Sequence, residues 1–100
     1  MSTPPFDPRA RLRFGDDLVR EHRYAEAISV YQTVASYYLD QGFALRAVAV
    51  ARQAVDIADI DPNALLSAAR PALLLLVDGH RALGLEGEAH RVAARLRELQ

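Results

Sequence analysis

Gly15, Leu18, His22 and Ala27 follow one another at intervals of three, four and five residues. The same intervals separate Ala35, Tyr38, Gly42 and Ala47, and again Val77, His80, Gly84 and Ala89. Beyond each alanine the spacing continues, through Tyr31 and Val34, then Ala51 and Ala54, then Ala93 and Leu96. Two helices approach closely only where a small residue on one admits a large residue of the other, so a repeated small–large spacing calls for repeated helix-on-helix packing. The apolar positions recur with the 3.6-residue period of a helix. Even the β-branched stretch "LRAVAVA" lies inside a longer alanine-rich helical pattern, and nothing reads as a strand. An all-α chain of about five antiparallel helices is expected.

Local signals place the helix ends. Asp7 before Pro8 is an N-cap with proline at the first helical position, opening a helix that runs to about His22. A second helix is expected from about Tyr24 to Gln41, ended by Gly42, which can take the left-handed conformation of a C-terminal cap. A third spans Phe43 to about Ile60. Asp61–Pro62 repeats the Asp-Pro start of a fourth, which reaches Leu83, and Pro71 inside it must kink or split it. Gly84 closes that element. The fifth runs from about Glu86 to Leu99, with Arg91, Arg95 and Arg97 in the half where positive charge complements the helix dipole.

One hundred residues can bury roughly two thirds of the surface of the unfolded chain, enough for one core without staples. An apolar fraction of 51% with 25% charged residues is far from that of a disordered chain. The expected organisation is a short Pro-rich lead-in, residues 1–7, and a single helical domain, residues 8–100. The start "MSTPPFDPRA" has neither the basic segment nor the apolar run of a secretory signal. The longest apolar run, Ala72 to Val77, falls far short of the roughly 18 residues of a membrane span. Cysteine is absent, which excludes disulfides, thiolate zinc sites and thiol redox chemistry and suits a reducing compartment, so a cytoplasmic location is expected. All twelve basic residues are arginine, interleaved with acids as in "RARLRFGDDLVREHR", and the net charge is −1. No basic stripe emerges to follow a phosphate backbone, so nucleic acid is not an expected partner.

Catalysis has no visible seat. His22, His80 and His90 form no pair at i, i+4 and no His-x-x-Glu arrangement, so no metal site is expected. His22 is expected at a helix end, His80 packed at a repeat position and His90 in solvent. Asp16, Asp17 and Glu21 suit the helix dipole better than a paired-carboxylate site. Ser29, Ser36 and Ser67 lack nucleophile context, and the five glycines form no phosphate-cradling loop. Neither an enzyme nor a cofactor is expected. Tyr31 and Tyr38 are core candidates, and Tyr37 is the tyrosine turned to solvent.

These spacings resemble the tetratricopeptide repeat family, whose helical hairpins carry a small residue, then Tyr or Leu, a turn glycine, then alanine, an aromatic and alanine. The stretch "GDDLVREHRYAEAISVYQTV" carries the resemblance most fully, and the three sets together cover most of residues 10 to 98. In the third set His80 stands where the family has Tyr or Leu, and Ala93 where it has an aromatic. The sets start 20 and then 42 residues apart, where the family repeats about every 34. The helix from Tyr24 would therefore serve two hairpins, and extra residues accumulate around "DIDPNALLSAARP". The resemblance implies a compact right-handed stack in place of a regular superhelical ribbon.

By the same resemblance, stacked hairpins present a groove that receives a peptide or helix of another protein. The groove residues it implies are Arg9, Asp16 and Arg20 on the first helix, Gln32, Ser36 and Asp40 on the second, and Leu74, Asp78 and Arg81 on the fourth. This lining mixes charge signs and suits a mixed or amphipathic ligand. The carboxylate clamp of some members, Lys and Asn on successive first helices, is replaced here by Leu12 and Asp16, then Gln32 and Ser36. The expected function is a non-catalytic scaffold, adaptor or chaperone-like module of bacterial type; the alternative is a self-assembling subunit that fills the groove with a second copy. "ALLLLV", Ala72 to Val77, covers every side of a helix; by the register of the resemblance Leu73, Leu76 and Val77 are expected at packing positions in the core and Leu74 at the groove.

Overall fold

The computed structural model describes residues 6–99, in which every regular element is an α-helix. These are α1 Pro8–Arg20, α2 Tyr24–Asp40, α3 Ala44–Ala58, α4 Pro62–Leu65, α5 Arg70–Ala82 and α6 Glu86–Glu98. Residues 1–5 of the expected lead-in, and Gln100, lie outside the described residues. Within that lead-in, Phe6 packs its ring 4.7 Å from that of Tyr37, and Asp7 accepts the backbone N–H groups of Arg9 and Ala10 to cap α1.

The sequence repeat is a repeat of backbone hydrogen bonds. At the end of α1, the N–H of His22 donates to Val19 and that of Arg23 donates to Leu18. After α2, Gly42 donates to Leu39 and Phe43 to Tyr38; after α5, Gly84 donates to Arg81 and Leu85 to His80. Each is a Schellman ending, which needs one residue in the left-handed region. His22 sits at φ 60°, Gly42 at 86° and Gly84 at 76°. The residue after the turn then accepts the first bond of the next helix, from Ala27, Ala47 and Ala89 respectively. The second, third and fourth members of each set are thus the last buried residue of one helix, the turn, and the first buried residue of the next.

The expected fourth helix is two helices. Pro71 has no N–H to bond the carbonyl of Ser67, and its ring would collide with that carbonyl in a continuous helix. The chain therefore makes a single turn, α4, passes through residues 66–69, and restarts at Arg70 with Pro71 second. Asp61 opens α4 without a side-chain capping bond. The start of α5 is capped from outside its own segment: the Gln32 side-chain oxygen on α2 accepts the N–H of Ala72 at 2.9 Å.

Packing follows chain order, with α2 against α1 and α3, and α3 against α4 and α5. In turn, α5 packs on α6 and touches α2. The helix from Tyr24 is therefore shared between two hairpins. The molecule measures 44 × 31 × 18 Å, about two helix diameters deep. Its centre is α3, where Ala47, Ala51, Ala54 and Ala58 have no exposed surface and let neighbours come close on both sides. Glycines make the other close approaches: a Cβ at Gly15 would lie 2.9 Å from the Tyr31 ring, and one at Gly79 would lie 2.6 Å from Val48 Cγ2.

Candidate interaction groove

The break before Pro71 sets the position of α5 against α2, and between them runs a depression of about 460 Å3. One wall is Ser29, Gln32, Thr33 and Ser36 of α2; the other is Pro71, Leu74 and Leu75 of α5. None of the lining residues is charged, unlike the mixed-sign lining implied by the resemblance. The Thr33 hydroxyl donates to the Ser29 carbonyl at 3.1 Å, and the carbonyl end of Gln32 is committed to Ala72. The polar wall keeps the Ser29 and Ser36 hydroxyls and the Gln32 amide hydrogens as hydrogen-bonding groups. Elsewhere on α5 Leu73, Leu76 and Val77 are buried, whereas Leu74 on the apolar wall keeps 52% of its surface exposed.

Of the nine residues implied by the resemblance, Gln32, Ser36 and Leu74 meet in this depression. Asp16 lies instead on the α1–α2 seam, where its carboxylate accepts the Tyr31 hydroxyl. Burial, and then that hydrogen bond, push the Tyr31 phenol well above the ordinary tyrosine range. Arg20 pairs with Asp17 one turn away on the same helix. Arg9, Asp40, Asp78 and Arg81 are exposed and do not line the depression. Ser29, Thr33, Pro71 and Leu75 were not anticipated as lining. Ser29, Gln32, Thr33 and Ser36 stand at i, i+3, i+4 and i+7, an uncharged polar stripe that the sequence displays once a neighbour for it is known.

Tyr37 is not the solvent-facing tyrosine expected. It is half-buried, with Phe6 on one side and the Tyr38 ring 6.0 Å away on the other. His22 occupies the first turn, His90 is exposed, and His80 is 4% exposed with neither ring nitrogen hydrogen-bonded. Among the described residues no group of three or more His, Cys, Asp or Glu side chains is placed to hold a metal ion, and no helix is long and apolar enough to cross a membrane. Comparison with protein-family models, curated proteins and solved structures finds no match to this chain.

Proposed function

We propose that the chain is a short tetratricopeptide-like stack that works as a non-catalytic adaptor or scaffold, taking a segment of another protein into the depression between α2 and α5. The observation that supports this reading is the pairing of an uncharged hydrogen-bonding wall with an apolar wall on which Leu74 stands half exposed. A peptide or helix with one apolar edge covers Leu74 and Leu75 and meets hydroxyl and amide groups opposite. Pockets of this composition favour ligands that bring both kinds of surface.

Leu74→Glu tests it against a control, Leu73→Glu, which buries an unpaired charge and should unfold the chain. Leu74→Glu should keep the helical circular dichroism and the melting temperature of the wild type. In a pull-down from the native organism it should lose a protein that the wild type retains. A wild-type dimer that Leu74→Glu splits would give the groove to a second copy and replace the adaptor by a self-assembling subunit. Unfolding of Leu74→Glu as severe as that of Leu73→Glu would remove the groove altogether.

A further inference from the structure

At the end of the stack where the α2–α3 turn meets the end of α5, the geometry points to a second docking surface, built for an acidic amphipathic segment of another protein. Phe43, Leu45, Ala82 and Leu83 line a depression of about 410 Å3 there, and Arg46 is its one charged side chain. Phe43 is 49% exposed, Leu45 71% and Leu83 37%. Single exposed apolar residues are ordinary, but several converging on one concavity mark a surface that another molecule covers. The fold accounts for only part of it. Phe43 follows the left-handed Gly42 and rests edge-on against Tyr38, 6.4 Å between centroids, as the apolar contact of a Schellman ending. Leu45 is exposed, on the side of α3 away from the buried Ala47 and Ala51, and no requirement of the turn or the core selects leucine there.

The occupant is identified by charge. The Arg46 guanidinium lies 5.1 Å from the Phe43 ring centroid and 5.9 Å from that of Tyr38. It forms no ion pair with any described residue, and among the arginines without one it alone lies against two aromatic rings. Two rings hold it at the edge of an apolar depression with its hydrogen-bonding fork unused, the arrangement that suits bidentate recognition of a carboxylate. A partner with a large apolar side chain and an Asp or Glu within a turn of it satisfies both features. The surface is separate from the groove between α2 and α5.

The test is to pan a random-peptide phage library on the wild type, with Leu45→Glu as counter-target, and to measure one enriched peptide by fluorescence polarisation. Enriched sequences should pair Leu, Ile, Met or Phe with Asp or Glu. Affinity should fall about tenfold or more in Arg46→Glu. It should recover when the acids of the peptide are changed to lysine, a rescue that a structural role of Arg46 does not give. Leu74→Glu should leave this binding unchanged, which separates it from the groove. Several results would overturn the inference: no enrichment over the counter-target, enriched peptides without acids, equal affinity for Arg46→Glu, or dependence on Leu74. So would light scattering that shows a wild-type dimer split by Leu45→Glu, because the surface would then belong to a second copy.

Discussion

The hairpins of α1, α2 and α3 and the hairpin of α5 and α6 share one hydrogen-bond plan and differ in how well it is filled. In the first region Gly15 admits the Tyr31 ring, and the Tyr31 hydroxyl is satisfied by Asp16. In the second, Ala93 takes the place of that tyrosine and is half-buried, and Ala89 is the only fully buried residue of α6. The position held by Leu18 and Tyr38 in the earlier sets holds His80, whose ring nitrogens are buried without partners. A repeated backbone frame therefore does not imply equal stability along a stack; the side chains admitted at each interface set the local free energy. α6 is where the stack should open first.

The largest effect that can break this comparison is Tyr31→Ala. Removing a buried aromatic costs about 3–5 kcal/mol, a large share of the stability of a domain of this size. Urea unfolding should show it as a lower midpoint. Ala93→Gly, at the corresponding place in α6, should cost only about 1 kcal/mol, mainly through helix propensity. If the two variants cost the same, the two regions are equally packed and the contrast fails.

Next in size is His80→Leu, which removes two buried unpartnered nitrogens and supplies the side chain found at Leu18. It should stabilise by about 1–2 kcal/mol, and hydrogen exchange should show the gain concentrated in α5 and α6. A loss of stability would mean that the imidazole has a partner in solution that leucine cannot replace.

Tyr31→Phe sharpens the other side of the comparison. At neutral pH it should cost about 1 kcal/mol, the net contribution of one hydrogen bond. The phenol of Tyr31 is held above its ordinary range in the folded state by burial and by Asp16. Its stabilising contribution is therefore complete below about pH 10, where the unfolded chain also keeps its proton. The contribution is lost as pH rises beyond that, because the unfolded chain releases the proton while the folded one retains it. Denaturation between about pH 10 and 11.5 should weaken the wild type more steeply than Tyr31→Phe; parallel curves would exclude this linkage.

The smallest predicted change runs against the general contrast, because here the first region is the inferior one. Its turn places His22 at φ 60°, where the other two turns have glycine. His22→Gly should gain roughly 0.5–1 kcal/mol, the relief of left-handed strain less the extra freedom of glycine in the unfolded chain. A thermal melt should detect it, and an unchanged or lower melting temperature would show that the His22 ring, 5.7 Å from that of Tyr24, contributes as much as the strain removes.

Much of this architecture is written locally. The Asp7 cap, the turns at His22, Gly42 and Gly84, and the interruption caused by Pro71 each depend on bonds spanning six residues or fewer, so their residue types announce them. The 3.6-residue period likewise shows which face of a helix is apolar, and in Ala72–Val77, apolar on every side, the repeat register separated Leu73 and Leu76, which are buried, from the exposed Leu74. The groove depends on something else. Gln32 caps a helix forty positions away, Gly79 admits Val48 of α3, and Phe6 covers Tyr37, and no local rule connects the members of any of these pairs. The first two distances follow from how closely α5 can approach an alanine-faced α3 after the chain restarts at Arg70. Three of the nine residues proposed by register meet between α2 and α5 because register assigns a face to a residue but not the neighbour opposite it. Helix type and helix ends belong to the sequence, since backbone bonding is local; which polar stripe meets which leucine was decided by tertiary packing, because it sums the sizes of side chains far apart in the chain.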